Sequence, residues 1–217
     1  MTGRDDAVPA EKFFRFSENG NGPWEIHRPQ SVIMSLVEKD RFSGEVLDIG
    51  CGIADNTIYI AKHANNVHVT GFDLVPKSIQ IAREKAEKNQ VNIRFEVVNI
   101  LDDLSKISTI KQHSYDTVLD AAVFHCFSNE DRQLYMKNLE YLIKPGGLYI
   151  QLCASEKETY DKGPRRLKKA DLNELFSSKN GWTIESIDDS VYEYIPDAPT
   201  GQRAEAYLSL FRRDNNI

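Results

Sequence analysis

Short apolar segments alternate with amphipathic segments through most of this sequence, and this alternation limits the possible fold more than any other feature. Five apolar segments have the length of strands: Glu45–Ile49, Val67–Phe72, Ile93–Val98, Tyr115–Leu119 and Leu148–Cys153. Segments with helical spacing lie between or before them, at Pro29 to about Asp40, Thr57–His63, Lys77–Asn89 and Glu130–Ile143. Strands that alternate with helices form a mostly parallel sheet covered on both faces. The sequence therefore predicts a doubly wound α/β fold.

The last third of the chain departs from this alternation. A helix near Lys169–Phe176 is followed by two apolar segments, Trp182–Ile187 and Ala204–Phe211, with no helix of any length between them. This arrangement favours an antiparallel hairpin at the edge of the sheet. No repeat, low-complexity block or interior Pro/Gly/Ser linker divides the 217 residues. We expect one domain over residues 1–217, with residues 1–28 as an N-terminal arm.

Composition excludes several classes of protein. The chain carries 27 Lys+Arg and 33 Asp+Glu, a formal net charge of −6, whereas proteins that bind a phosphate backbone are usually basic. No apolar run approaches the roughly 20 residues that cross a bilayer, so we expect a cytoplasmic protein with no membrane partner. Cys51, Cys126 and Cys153 are too widely spaced to indicate a disulfide framework or a zinc cluster, and we expect no metal site.

A glycine turn follows the first predicted strand. The strand runs into Gly50-Cys51-Gly52 and then into a helix, at the strand end where doubly wound sheets bind ligands. A dinucleotide motif G-x-G-x-x-G needs a third glycine at position 55, but the chain has Asp55, whose charge would repel a pyrophosphate. No Lys-Ser or Lys-Thr pair follows the glycines, so a phosphate-binding P-loop is absent. The turn therefore indicates a nucleoside-like ligand and argues against NAD.

An acidic residue ends the second predicted strand. Asp73 can accept hydrogen bonds from both hydroxyls of a ribose, and Asp48, Asp55 and Asp120 are expected near the same edge of the sheet. Such an acidic site suits a cationic nucleoside such as S-adenosylmethionine, which carries a sulfonium and an ammonium group and no phosphate. In order and spacing, five motifs resemble those of class I S-adenosylmethionine-dependent methyltransferases: Val46–Ala54, Phe72–Asp73, Val97–Ile100, Asp116–Phe127 and Lys144-Pro145-Gly146-Gly147.

This resemblance, which covers roughly Pro23 to the C-terminus, implies a seven-stranded sheet with an antiparallel final hairpin and S-adenosylmethionine as the cofactor. By position, Asp48, Gly50 and Gly52 resemble the residues that line the methionine part of the cofactor. Asp73 resembles the acid that binds the ribose. The family therefore implies a Rossmann-like methyltransferase in which these four residues contact cofactor.

The resemblance also assigns residues after the third and fourth strands. Asn99 and Ile100 resemble the adenine contacts, and Asp120 resembles the residue that closes the site after the fourth strand. Two positions depart from the family pattern, because Ala54 stands where a third glycine is common and Asn99 where aspartate is common. Asn99 keeps an acceptor oxygen for the adenine amino group, so the departure is expected to affect selectivity at most.

More local patterns look like small-molecule methyltransferases that act on thiols, thiopurines and heterocycles. They are the segments Pro23–Gln30, Phe124-His125 and Gly163-Pro164-Arg165-Arg166, with His27 where glycine is expected. The resemblance implies methyl transfer to an O, N or S atom of a small aromatic or lipophilic molecule. A separate nucleic-acid module and an N-P-P-[YF] motif are absent, and we expect no nucleic-acid partner.

The N-terminal arm is expected to act as a lid. Phe13, Phe14, Phe16 and Trp24 would form an apolar wall of the acceptor site, and Trp24 would also contact the cofactor. Arg28 would pair with the methionine carboxylate of the cofactor. An acidic site otherwise offers this carboxylate no cationic partner. The arm is then the segment that encloses both ligands.

One histidine is a candidate catalytic residue. His125 follows the fourth predicted strand by a few residues, so it is expected at the rim of the site, as a base or as a group that orients the acceptor. Two alternatives stay open at this point: a non-catalytic protein that binds S-adenosylmethionine and acts through a partner, and an RNA methyltransferase. The basic residues that an RNA backbone would need are Arg165, Arg166, Lys168 and Lys169, but a solvated loop entering a helix explains them better.

Overall fold

One sheet of seven strands runs through the computed structural model, which describes residues 7–17, 22–160, 163–198 and 201–215. The strands are β1 Gly44–Ile49, β2 Val67–Asp73, β3 Arg94–Val97, β4 Tyr115–Ala121, β5 Ile143–Ala154, β6 Trp182–Glu193 and β7 Arg203–Arg213. They lie side by side in the order β3-β2-β1-β4-β5-β7-β6. Every adjacent pair among β1 to β5 is parallel, whereas β7 is antiparallel to both β5 and β6.

Helices precede the sheet and connect several of its strands. Their bounds are α1 Ala10–Ser17, α2 Ser31–Glu38, α3 Asp55–His63, α4 Pro76–Lys88, α5 Asn129–Leu142 and α6 Lys169–Leu175. In the part of the chain that the structure describes, none of the helices is long and apolar enough to cross a bilayer.

Neighbouring residues of the central strands pack on opposite faces of the sheet. In β1, Val46 belongs to an apolar cluster that includes Ile33 of α2, whereas Leu47 belongs to a larger cluster that includes Leu139 of α5. Side chains alternate in this way because the strand repeat is two residues. Both faces are therefore buried, which explains why the strands appear in the sequence as nearly continuous apolar runs.

The carboxyl ends of β1 to β4 meet at one edge of the sheet. Ile49 at the end of β1 is in register with Phe72 of β2 on one side and with Asp120 of β4 on the other. Asp73, the last residue of β2, is in register with Val97, the last residue of β3. The segments that follow these strands consequently surround one space.

The predicted α/β fold and its antiparallel final hairpin are confirmed. Several boundaries differ from the sequence prediction; β5, for example, begins at Ile143 rather than at Leu148. The helix expected from Pro29 begins at Ser31, because Gln30 has extended backbone and occupies the N-cap position. β6 continues past Ile187 to Glu193, since its pairing with β7 persists through residues that are polar in the sequence.

A side-chain cap fixes the start of α5. Ser128 stands three positions before the acidic residue Asp131, a spacing close to that of a capping box, and its Oγ accepts a hydrogen bond of 3.1 Å from the backbone N–H of Asp131. This places the beginning of α5 directly after the 3-10 turn Phe124–Cys126, which follows β4.

We expect the Ser128→Ala substitution to lower the free energy of unfolding by about 1 kcal/mol, because the first turn of α5 loses its capping acceptor. Urea denaturation followed by circular dichroism measures this difference. Ser35→Ala is the matched control, since Ser35 lies inside α2, where alanine is the better helix former. Equal destabilisation by the two substitutions would contradict the role of the cap.

Candidate active site

A cavity of about 560 Å³ opens at the carboxyl edge of the sheet. Its floor consists of the segments after β1 to β4, and residues of the N-terminal arm and of the end of β6 form its other walls. A space of this size at this edge is where an open α/β sheet binds its ligand.

The glycine turn after β1 forms one wall. Gly50 and Gly52 have φ angles of +67° and +53°, which favour glycine. A Cβ on Gly50 would lie 2.2 Å from Cγ2 of Val123, whereas a Cβ on Gly52 would meet no atom within 4 Å. Gly50 is thus required by close packing, and Gly52 presents bare backbone to the open side of the turn.

Asp73 joins the end of β2 to this turn. Its Oδ2 accepts the backbone N–H of Gly52 at 2.8 Å, and its Oδ1 accepts the N–H of Val75 at 2.8 Å. Each carboxylate oxygen keeps further acceptor capacity. Asp73 lines the cavity and burial raises its pKa, so it offers two fixed acceptors to a ligand that carries paired hydroxyls.

Asp48, which the sequence assigned to the cofactor, does not line the cavity. It is buried within β1, and its Oδ2 accepts a 2.6 Å hydrogen bond from the hydroxyl of Thr57 on α3. Burial raises the pKa of Asp48 to about 7. In this structure the residue braces the glycine turn from behind.

Asp120, also assigned to the cofactor, likewise does not line the cavity. The carboxylate is fully buried and accepts hydrogen bonds from the backbone N–H groups of Val123 and Phe124 and from the hydroxyls of Tyr135 and Tyr149. Despite these donors, burial raises its pKa to about 6. Asp120 links β4 to α5 and β5 and holds the turn that carries His125.

Asn99 and Ile100 line the cavity beyond β3. The amide of Asn99 is oriented by its own loop, because Oδ1 accepts the N–H of Leu101 and Nδ2 donates to Oδ1 of Asp102, both at 3.1 Å. The predicted contact of Asn99 with adenine stays a prediction. It would use the remaining lone pair of the amide oxygen.

The N-terminal arm covers the cavity. Phe13 and Phe16 of α1 line it and contact Trp24, with ring centroids 5.9 and 5.8 Å apart. The N–H of Val8 donates to the carbonyl of Cys126 at 2.7 Å, which ties the arm to the turn after β4. Phe14, expected in the same wall, does not line the cavity and is 42% exposed. Residues 1–6 and 18–21 of the predicted arm lie outside the described residues.

Arg28 lines the cavity but already has a partner. Its guanidinium forms a bidentate ion pair with Glu193 at the end of β6, with N–O distances of 2.8 and 3.2 Å. The pair lowers the pKa of Glu193 to about 2. The predicted contact of Arg28 with a ligand carboxylate therefore stays a prediction, and it would require Arg28 to share or exchange this acid.

His125 lines the cavity and is buried. Its Nδ1 accepts the backbone N–H of Ala154 at 2.9 Å, and burial together with the charges of Arg132 and Arg166 lowers its pKa to about 3. With Nδ1 occupied as an acceptor, the neutral ring carries its proton on Nε2. This geometry favours a role in orienting the acceptor over a role as base. The predicted contact of His125 with the acceptor stays a prediction.

Several residues of the cavity wall were not predicted from the sequence: Glu25, Phe127, Tyr160, Tyr192 and Tyr194. The two tyrosines at the end of β6 have ring centroids 5.0 Å apart and project from the same side of the chain, because they are two positions apart. A longer prediction for β6, past Ile187, would have placed these tyrosines at the site. The polar residues after Ile187 do not indicate a strand. Glu25 lies beside Trp24, so its position could have been inferred from that neighbour.

Both positions where the sequence lacks an expected glycine adopt left-handed backbone. Ala54 has a φ angle of +69° and His27 a φ angle of +55°. Such values cost a residue with a side chain about 1 kcal/mol or more. Left-handed backbone explains why glycine is expected at these two positions. This chain adopts the same backbone conformation there with alanine and histidine.

Comparison with known proteins identifies the same architecture. A family model described as a methyltransferase domain matches residues 43–195. The chain is 31% identical over 169 residues to the 2-heptyl-1-hydroxyquinolin-4(1H)-one methyltransferase of Mycobacteroides abscessus, covering 76% of this chain and 70% of that protein.

Two solved structures are also similar. One, from work on the conversion of a disulfide bond into a thioacetal group during echinomycin biosynthesis, superposes with a TM-score of 0.80 and 29% identity over 95% of this chain and 93% of the other. The magnesium protoporphyrin IX methyltransferase of Synechocystis PCC 6803 with bound SAM has a TM-score of 0.62 and 20% identity over 85% of this chain and 77% of the other. At that identity it supports the fold alone.

We expect the buried acid Asp48 to make stability depend on pH. Its folded-state pKa of about 7 lies above the value near 4 of an unfolded chain, so its contribution to stability is complete below about pH 4 and is lost as pH rises through about 7. The Asp48→Asn variant should therefore gain Tm relative to the parent chain between about pH 5 and about pH 8. Asp103→Asn, at an exposed acid, is the control. Parallel Tm curves for the parent and Asp48→Asn would contradict the assignment.

Proposed function

Because this chain belongs to the class I S-adenosylmethionine-dependent methyltransferases, we propose that it methylates an O, N or S atom of a small aromatic or lipophilic molecule. The protein is an enzyme that uses S-adenosylmethionine and acts on small molecules. The proposal concerns the chemical class of the acceptor. The observation that carries it is the aromatic wall on one side of the cavity.

The residues present fit the cofactor. The open side of Gly52, the two fixed acceptors of Asp73 and the apolar side chain of Ile100 match a turn that approaches a ligand closely, a ribose site and an adenine site. The structure thus supplies acceptors for hydroxyls and no P-loop lysine for phosphates. This combination is the one that a cationic nucleoside without phosphates requires.

Sheet order separates a cofactor side from an acceptor side. Gly52 follows β1, Asp73 ends β2 and Asn99 follows β3, and these three strands form one side of the sheet. His125 follows β4, and Tyr194 follows β6, on the other side. An acceptor on that side would lie beyond the methionine end of the cofactor, because the glycine turn follows β1, the strand next to β4.

The acceptor side is mostly aromatic. Phe13, Phe16 and Trp24 cover it from the arm, while Phe127, Tyr160, Tyr192 and Tyr194 complete its wall. Flat aromatic acceptors gain from contact with aromatic rings, beyond the burial of apolar area. The Mycobacteroides relative is a methyltransferase of an alkylated hydroxyquinolone, which is such an acceptor.

The protein's own part in the reaction is alignment and exclusion of water. When bound, S-adenosylmethionine supplies a methyl group on an excellent leaving group, so the barrier depends largely on the geometry of approach. Described residues of the arm line the cavity, and the backbone N–H of Ala154 orients the ring of His125. A thiolate or ring nitrogen needs no base, whereas a protonated oxygen acceptor benefits from one.

A radiolabelled methyl-transfer screen tests the proposal. The panel contains hydroxyquinolones, phenols, aromatic thiols, N-heterocycles, a small hydrophilic thiol and transfer RNA. We expect turnover with one or more lipophilic aromatic acceptors and none with RNA. Preferential methylation of RNA or of the hydrophilic thiol would overturn the proposal, as would cofactor binding without transfer to any acceptor.

We expect Asp73→Ala to weaken binding of S-adenosylmethionine and of S-adenosylhomocysteine by similar factors, on the order of 10-fold or more, because both lose a charged acceptor for the ribose hydroxyls. Titration calorimetry measures both affinities. The exposed Asp103→Ala should leave them unchanged. Unaltered affinity in Asp73→Ala would remove this residue from the cofactor site.

Two phenylalanines of α1 form a matched pair for testing the acceptor wall. Phe16 and Phe14 are 37% and 42% exposed, but only Phe16 lines the cavity. Phe16→Ala should raise KM for a lipophilic acceptor by roughly 10-fold, because about 1–2 kcal/mol of apolar contact is lost. Phe14→Ala should leave KM unchanged. Equal KM values for the two variants in steady-state kinetics would contradict the role of α1.

A further inference from the structure

Glu25 is a buried carboxyl group that the fold does not use. The residue is 4% exposed and lines the cavity directly after Trp24. Its Oε2 accepts a long hydrogen bond of 3.4 Å from the N–H of Gly22, and its Oε1 has no hydrogen-bond partner among the described residues. An unpartnered buried acceptor is costly, so its presence beside a ligand cavity points to a partner that arrives with the ligand.

The groups that face Glu25 are mostly acids. Asp73 at the end of β2 and Asp55 at the start of α3 act on its carboxyl, as does Lys85 of α4, and the Tyr192 side chain of β6 lies near. Lys85 already forms an ion pair with Asp55 at 2.6 Å. The one cation among the groups that act on Glu25 is thus already paired with another acid, and burial, together with the charges of Asp73 and Asp55, raises the pKa of Glu25 to about 7.

Only a cationic donor satisfies these surroundings. Asp73 already offers acceptors to the ribose hydroxyls. If Glu25 bound the same hydroxyls as a carboxylate, the negative charge of Asp73 would repel it. The amino group of a bound amino acid moiety offers both positive charge and N–H donors, which the orphaned Oε1 lacks. The nearby glycine turn is the place where the methionine part is expected.

We propose that Glu25 binds the α-ammonium group of the cofactor's methionine moiety and is the counter-ion for the positive charge that the cofactor brings into the cavity. This inference rests on the proposed use of the cavity and adds a residue to it. Since the carboxyl is partly protonated in the free protein near neutral pH, binding of the ammonium group ionises it and releases the proton to solvent. Cofactor affinity then rises with pH across neutrality.

Three nucleosides distinguish binding of the ammonium group by Glu25 from a contact of Glu25 with the ribose or the adenine. S-adenosylmethionine and S-adenosylhomocysteine both carry the ammonium group, whereas 5′-methylthioadenosine carries the adenine and ribose without any amino acid part. Glu25→Gln should weaken binding of the first two by roughly 10-fold or more and leave 5′-methylthioadenosine within about twofold. Glu11→Gln, an exposed acid of α1 outside the cavity wall, is the control and should change none of the three affinities.

Proton release provides a second measurement on the unmutated protein. Calorimetry with S-adenosylhomocysteine at about pH 7, in two buffers of different ionisation enthalpy, should show release of up to about half a proton from Glu25 per ligand bound. Asp48, Asp73 and Asp120 also have raised pKa values, so the informative quantity is the decrease in release in Glu25→Gln.

Equal S-adenosylhomocysteine affinity in Glu25→Gln and the parent chain would overturn the inference. Equal weakening of 5′-methylthioadenosine would overturn it as well, because Glu25 would then act on the ribose or on the shape of the cavity. Neither result touches the acceptor class. Conversely, the expected binding pattern with turnover only on RNA or hydrophilic acceptors would refute the proposed function and leave the role of Glu25 intact.

Discussion

The hydrogen bond from the N–H of Gly52 to the carboxylate of Asp73 is the contact on which the site depends. It joins the turn after β1 to the end of β2 across 2.8 Å. Because the two strands are parallel and in register, their ends arrive at the same edge, and this bond fixes how the turn meets the neighbouring strand. The glycine turn that leads into α3 and the carboxylate of Asp73 are thereby joined.

Buried carboxylates near this edge divide into two groups with different tasks. Asp48 and Asp120 are satisfied by the protein's own hydroxyls and backbone N–H groups, and they hold the elements that carry the site. Asp73 and Glu25 face the cavity and keep unused acceptor capacity. Acids that line a cavity repel one another, and a bound cation reduces this repulsion. The charges of the protein therefore favour a cationic ligand.

Sequence patterns predicted the fold well because the strongest signals are local. The alternation of apolar and amphipathic segments, the glycine turn and the Ser128 cap each depend on residues within a few positions of one another. The end of β6 was underestimated because its strand character comes from pairing with β7, whereas its own residues Asp188, Asp189 and Ser190 are polar. Tyr192 and Tyr194 were missed for that reason.

The sequence alone determined the order of strands and helices, the glycine turn after β1 and the acid at the end of β2, since each follows from residue type and spacing along the chain. Only the tertiary structure decided which acids face the cavity. Asp48 and Asp120 turn inward to Thr57 and to tyrosines distant in sequence, while Glu25 is left facing the cavity without a partner. Hydrogen-bond satisfaction depends on neighbours brought together by the sheet, and no spacing within one segment encodes it.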